Sequence, residues 1–294
     1  MLGNEAVARG AWEAGVTVAT AYPGTPSTEI TEVISAWPEV YSEWSPNEKV
    51  ALEVAIGASM GGARAICSMK HVGVNVAADP LFTVAYTGVR GGLVIAAADD
   101  PGMHSSQNEQ DSRYYARSAH IPMLEPADSA ECLAYTKRAF ELSEAYDTPV
   151  FLRLVTRIAH ARSLVQPGAR QEVPLKPYEK DVGKYVMMPA GARKRHLVVE
   201  AREKKFLEDI GSLGLNRIEY ADKSVGVVCS GAAYNYVKEA LPGVSVLKLG
   251  IVYPLDENII REFAANVETL YVIEELEPYF EDAIKAMGIA CSGK

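Results

Sequence analysis

Residues Gly92–Ala98 read Gly-Leu-Val-Ile-Ala-Ala-Ala. The run is continuously apolar, without the alternation of a strand that has one wet face. Such a run is expected where helices cover both faces of a parallel sheet. Working outward, Pro149–Val155 is a second strand-like run, reached through the amphipathic stretch Ala127–Tyr146. On the other side, a short strand at Ala63–Ser68 is followed by a helical stretch near Ala77–Thr87. Further back, Asn4–Ala14 reads as a helix stopped at Gly15, before an apolar strand, Val16–Ala21. Tyr22-Pro-Gly-Thr-Pro26 then breaks the chain, and Ser27 is placed to cap a helix carrying Ile30, Val33, Ile34 and Trp37 at helical spacing. Another helix is expected from Pro46 to Gly57, continuing toward Gly61.

This alternation implies right-handed βαβ units and an α/β fold with a doubly wound parallel sheet. Sites in such sheets form beyond the carboxyl ends of the strands. Tyr22–Thr28, Lys70–Asn75 and Asp99–Arg113 all follow strands, so these loops are expected to converge on one edge. The pattern weakens from Ser163 to Lys223, where Pro, Lys and Glu are frequent and a helix is expected over His196–Leu213. A second, smaller α/β pattern begins at Ser224. Its strands are Val225–Cys229, Val244–Leu249 and Thr269–Ile273, and its helices Ala233–Leu241, Asp256–Ala265 and Pro278–Met287. The expected organisation is therefore a domain over 1–162, a connector over 163–223 and a small domain over 224–294.

A net charge of −9 over 294 residues argues against nucleic acid as a main partner. The basic cluster Ala192–Lys205 reads as a solvated helical face, with an anionic ligand such as a coenzyme A phosphate as the alternative. No apolar run is long enough to span a bilayer, and the N-terminus lacks the basic and apolar regions of a signal peptide. Cys67, Cys132, Cys229 and Cys291 stand far apart, which gives neither a local metal or cluster ligand set nor a disulfide framework. A reducing, cytoplasmic setting is expected.

Glu48 is the residue whose reading matters most. Ser45-Pro-Asn-Glu48 matches a capping box with Pro46 at the first helical position, and the residues alone favour that structural role. A catalytic carboxyl is the alternative. Glu53, one and a half turns on, points elsewhere on the helix. Gly57-x-x-x-Gly61-Gly62 lacks dinucleotide-binding spacing. His120, His160 and His196 are isolated and read as structural, and Glu274-Glu275 ends a strand and reads as facing solvent or a subunit.

Long contiguous segments nevertheless resemble the alpha subunits of indolepyruvate:ferredoxin oxidoreductases, within the thiamine-diphosphate-dependent 2-oxoacid:ferredoxin oxidoreductase family. They include AYPGTPSTEI, EWSPNEKVALEVAIGAS, MKHVGVNVAADP, ADDPGMHSSQNEQDSRYYAR, PAGARKRH, SGAAYNYVKEAL and VLKLGIVYPL, and so cover nearly the whole chain. The resemblance implies that the first domain binds the aminopyrimidine ring of thiamine diphosphate and that the second is like the carboxy-terminal domain of transketolase. It places the family's activating glutamate at Glu48, where a partly buried carboxyl with a raised pKa shares its proton with a pyrimidine nitrogen. It aligns Tyr22, Pro23 and Gly24 with the cofactor-binding loop. Thr25, Lys70, His71, His104 and Arg113 are aligned with the substrate side, beside Ser105 and Gln107 in the same polar loop.

The implied reaction of the assembled enzyme is CoA-acylating oxidative decarboxylation of a 2-oxoacid, an arylpyruvate by resemblance, with electrons passed to ferredoxin. The Gly-Asp-Gly…Asn motif that holds Mg²⁺ and the diphosphate is missing here, as are cysteine sets for [4Fe–4S] clusters. Both are expected on another half or partner, alongside a beta subunit. The chain is therefore expected to be a truncated or split half, inactive alone. Two rivals stand beside this reading: a component of another thiamine enzyme, transketolase-like or a non-oxidative decarboxylase, and a non-catalytic assembly subunit.

Overall fold

The computed structural model describes residues 1–294. Eleven strands form two sheets: β1 Val18–Ala21, β2 Tyr41–Trp44, β3 Ala65–Lys70, β4 Leu93–Asp99, β5 Met123–Leu124, β6 Val150–Val155, β7 Arg217–Glu219, β8 Asp222–Ser230, β9 Val244–Leu249, β10 Ile251–Tyr253 and β11 Thr269–Ile273. The first sheet has the order β10-β5-β6-β4-β3-β1-β2 and is parallel except for β10. The second has the order β11-β8-β9-β7, with β7 antiparallel at its edge. The thirteen α-helices are α1 Gly3–Glu13, α2 Thr28–Ile34, α3 Glu48–Met60, α4 His71–Val76, α5 Ala78–Thr87, α6 Arg113–Ala119, α7 Ser129–Tyr146, α8 Thr156–His160, α9 Val182–Tyr185, α10 Pro189–Asp209, α11 Gly231–Ala240, α12 Glu257–Ala265 and α13 Tyr279–Ala286.

Strand β4 behaves as its sequence demands, with every residue buried. Leu93, Ile95 and Ala97 face one apolar core, while Val94, Ala96 and Ala98 face the other, so helices cover both sides of the sheet. The first of these cores continues through Val228, Leu247, Phe263 and Phe280, joining the two sheets into one packed body.

Three features depart from the expectations. Strand β2 has no apolar run, because it is the edge strand and Tyr41 and Trp44 are exposed. Strand β10 lies beyond residue 224 yet extends the first sheet by pairing with β5. Within the expected connector, residues 163–181 form neither helix nor strand but lie back on the first sheet's helices. There Gln171 N donates to Glu13 O at 2.8 Å and the Arg170 guanidinium donates to Trp12 O at 2.7 Å.

The basic face of α10 is not simply solvated. Arg202 donates to Ala85 O and Asp147 O, each at 2.6 Å, and Arg195 Nε donates to Tyr86 O at 2.7 Å. Helix α5 ends in carbonyls without intrahelical partners, and these arginines supply the donors.

A buried ionic network ties the sheets together at their carboxyl edge. Arg153 on β6 pairs with Asp99 at 2.7 Å and with Glu125, whose other oxygen accepts from Ser230 Oγ at 2.8 Å. Arg113 pairs with Asp111 at 2.6 Å and with Glu274 at 2.6 Å, and donates to the carbonyls of Glu275 and Glu277. Glu274 thus faces inward, contrary to its expected solvent exposure, because Arg113 meets it across the gap between the sheets. Breaking a buried charge network by removing one partner leaves the others desolvated and uncompensated. Arg153→Ala is expected to cost about 3–5 kcal/mol in urea unfolding at neutral pH; a loss below about 1 kcal/mol would show that the cluster is not needed for stability.

Candidate functional site

Strand register brings the loops together. Ala21 is level with Trp44 on one side and Ser68 on the other, and Lys70 is level with Ala98 of β4. Tyr22–Pro26, Ser45–Asn47, the β3–α4 junction and residues 100–112 therefore emerge along one edge, as expected from the topology. Helix α3 packs beneath them, fixed to β1 by Thr20 Oγ1 donating to Ala51 O at 2.7 Å.

Glu48 opens α3, but the expected capping box does not form. The cap is Asn47, whose side chain accepts from Val50 N at 3.0 Å, leaving Ser45 Oγ buried without a partner. Asn47 wins because it stands immediately before the first helical residue and its backbone is extended there. Glu48 is thus released from a capping role. It is 8% exposed, and no hydrogen bond from the protein satisfies its carboxyl. That carboxyl lies against Gly73 of α4, where a Cβ would fall 2.5 Å from Oε1 and 2.7 Å from Cγ. Only glycine fits at position 73 while the Glu48 side chain keeps this place.

The loop after β1 lies close by. Gly24 faces the Lys70 side chain, Gly24 N donates to Thr28 Oγ1 at 3.0 Å, and Ser27 Oγ donates to Gly24 O at 2.9 Å. Ser27 spends its hydroxyl there rather than capping α2. Tyr22, Pro23 and Thr25 are exposed along the rim. Lys70 ends β3 and His71 begins α4 directly, so no loop intervenes.

Residues 100–112 close over this edge through main-chain contacts. Lys70 Nζ donates to Ser105 O at 2.9 Å, Ser105 Oγ reaches Thr25 O at 3.4 Å, and His71 Nε2 lies 3.1 Å from Asn108 O. A proton on Nε2 completes that last bond and leaves Nδ1, which is buried, without a partner. His71 is therefore a buried support for the loop rather than an exposed loop residue. His104 turns the other way, into a cavity beside α8, and Gln107 is part of the loop's surface. Arg113 is not at a pocket at all; it is 1% exposed and committed to Asp111 and Glu274. The reading of Asp99–Arg113 as one polar loop missed this, because Arg113 opens helix α6 and its partner Glu274 follows β11, far away in sequence. Asp100 and Gly73 went unnoticed in the sequence, and Ser45 was read there only as a helix cap.

Asp100 organises the loop. Its carboxylate accepts from Ser105 N at 2.8 Å, Ser106 Oγ at 2.6 Å and Thr156 Oγ1 at 2.6 Å. Burial opposes its ionisation, but the bonds from Ser106, Thr156 and Ser105 prevail and hold the pKa down to about 2. The unfolded value is about 3.9. The ionised group thus adds stability that is present above about pH 4 and is lost as pH falls through the folded value. Asp100→Asn is expected to flatten the decline in urea midpoint over that acid range; an unchanged slope would contradict the assignment.

No helix is long and apolar enough to cross a membrane, and no group of three or more His, Cys, Asp or Glu side chains is placed to hold a metal ion. Residues 9–205 match the family model described as pyruvate flavodoxin/ferredoxin oxidoreductase, thiamine diphosphate-binding. The chain is 45% identical over 303 aligned residues to indolepyruvate oxidoreductase subunit IorA of Archaeoglobus fulgidus, covering 99% of this chain and 49% of that protein. It is 44% identical to the Thermococcus kodakarensis subunit of the same name, over 97% of this chain and 46% of the relative. The chain thus spans about half the length of the curated relatives it matches most strongly. Among solved structures, 2-oxoglutarate:ferredoxin oxidoreductase from Magnetococcus marinus superposes with a TM-score of 0.82 at 17% identity, over 100% of this chain and 61% of that one. An inactive split-gene transketolase tetramer gives 0.63 at 16% identity, over 99% and 86%. These two likenesses bear on the α/β fold. The family match extends across the loops and helices that build the edge around Glu48, and the chain belongs to the pyruvate flavodoxin/ferredoxin oxidoreductase, thiamine-diphosphate-binding family.

Proposed function

We propose that this chain supplies the pyrimidine-side half-site of a thiamine-diphosphate-dependent 2-oxoacid:ferredoxin oxidoreductase, with Glu48 as the activating carboxyl. The observation that carries the reading is the state of that carboxyl: on a residue only 8% exposed, without a protein partner, and backed by a glycine that leaves room for it. The residues fit the cofactor's pyrimidine end. Glu48 presents an open acceptor, the neighbouring Ser45 hydroxyl is buried and unpaired, and the loop after β1 offers main chain at Gly24.

When bound, thiamine diphosphate supplies an acidic thiazolium carbon and an electron sink for decarboxylation. The chain's own part is to place and protonate. Glu48 holds a proton between a carboxyl oxygen and a ring nitrogen, in a position fixed by Asn47 and Gly73. Tyr22, Pro23 and Gly24 line the cofactor's edge. Thr25 and Lys70 lie across the same loop junction, where a hydroxyl and an ammonium suit the carboxylate of a 2-oxoacid. Lys70 has only the Ser105 carbonyl as its partner, so its charge is free to be matched. His71 holds the loop from below.

For the complete enzyme we infer CoA-acylating oxidative decarboxylation, with an arylpyruvate such as indolepyruvate as substrate and ferredoxin as acceptor; the names of the most similar relatives support this. Mg²⁺, the diphosphate anchor and the [4Fe–4S] clusters belong to the remaining half or its partner, and a beta subunit completes the assembly. The same reading divides the chain into a pyrimidine-binding domain, 1–162, a connector, 163–223, and a transketolase C-terminal-like domain, 224–294. It places the enzyme in the cytoplasm, in keeping with free cysteines of which three are buried.

Two substitutions in the complete enzyme test the assignment together. Glu48→Gln is expected to lower kcat by at least about 100-fold, the lower range for a lost proton-transfer group, while the unfolding midpoint stays near that of the parent. Gly73→Ala improves helix propensity by up to about 1 kcal/mol yet crowds the carboxyl, so turnover is expected to fall without loss of stability. Turnover near the parent's in Glu48→Gln would assign the residue a structural role and overturn the proposal.

A further inference from the structure

A second cavity lies on the far side of the loop that closes over Lys70. It has a volume of about 260 Å³ and sits between the two sheets, with walls from Pro101, His104, Thr156, Arg157, Tyr236 and Glu275 among others. A cleft of about 400 Å³ continues from it between α8 and α11, and the two share Arg157, Ala161 and Tyr236. Arg157 is the central feature. In a chain of net charge −9 its guanidinium faces this groove with neither a carboxylate partner nor a hydrogen bond. His104 and His160 stand on the same wall, and His160 Nε2 lies 3.4 Å from Glu29.

Acidic groups face the groove as well, but none forms an ion pair or hydrogen bond with Arg157. Asp128 is engaged as the cap of α7, accepting from Glu131 N, and Glu239 lies in the outer cleft opposite Arg162. Glu275 lines the inner cavity with a carboxyl that accepts no hydrogen bond; burial, ahead of repulsion from Glu125, pushes its pKa up against the pull of Arg153, Arg113 and Arg157.

We propose that this interdomain groove is an anion-binding site in which Arg157, flanked by His104 and His160, receives a phosphate or carboxylate group, with Tyr236 as an aromatic wall for whatever the anion is attached to. A planar guanidinium suits such groups through paired N–H donors. The site also touches the loop over Lys70. His104 precedes Ser105, and the cavity wall residue Thr156 shares Asp100 with Ser105 and Ser106. The inference stands on the groove alone and is independent of the role given to Glu48.

The test is a titration of the full chain with inorganic phosphate and, separately, with adenosine 5′-monophosphate, following the imidazole proton resonances of His104 and His160. Saturable shifts at both histidines are expected, with affinity at least about tenfold weaker in Arg157→Gln and unchanged in Arg138→Gln, which removes an exposed arginine elsewhere. Equal affinity for the two probes would assign the site to a free anion. Tighter binding of the nucleotide, lost in Tyr236→Ala, would assign it to a phosphate carried on an aromatic ligand. Shifts that do not saturate, or that persist unweakened in Arg157→Gln, would overturn the proposal.

Discussion

Arg113 and Arg153 carry full charge at positions almost sealed from water, and each is surrounded by acidic groups from different elements. Asp99 ends β4, Asp111 precedes α6, Glu125 follows β5 and Glu274 follows β11. Buried charges are tolerated only when every partner is in place, since desolvation costs several kcal/mol per ion. The cluster therefore forms only if the two sheets dock in one arrangement. Strand β10, which completes the first sheet by pairing with β5, joins the same two parts of the chain.

That arrangement reaches the site through one loop. Residues 100–112 are held at one end by Asp100 and at the other by Asp111 and Arg113, so their course over the strand edge is set by charges buried beneath them. Between these ends the loop offers its carbonyls to Lys70 and His71 and touches Thr25. Glu48 lies in the floor below, placed by the Asn47 cap and by the missing side chain of Gly73. The site is thus built on rigid strand ends and helix starts, with a polar loop above it.

Much of this was legible because periodicity reports burial. The unbroken apolar run at Gly92–Ala98 announced a sheet covered on both faces, Pro149–Val155 read as a strand beside it, and strands β9 and β11 match their expected spans. Tyr41–Trp44 was not legible, since an exposed edge strand has no apolar pattern to read. Ser45 and Asn47 are both good caps, and only the backbone decides between them. Glu274, Arg195 and Arg202 looked like surface charge, and Arg113 like a substrate ligand, because partners such as Glu274 for Arg113 are distant in sequence; a buried charge announces itself only through its tertiary partner. Gly73 is the sharpest case. A Cβ there would fall 2.5 Å from the carboxyl of Glu48, 25 positions earlier, a relation that no local pattern encodes.

The central claim is that the Glu48 carboxyl governs activation of the bound cofactor. The most direct measurement is the rate at which the thiazolium C2 proton of thiamine diphosphate exchanges for deuterium in the complete enzyme, followed by quenched-flow and proton NMR without substrate. Glu48→Gln is expected to bind the cofactor but to slow this exchange by at least about 100-fold. Exchange at the parent rate in a cofactor-loaded Glu48→Gln enzyme would contradict it.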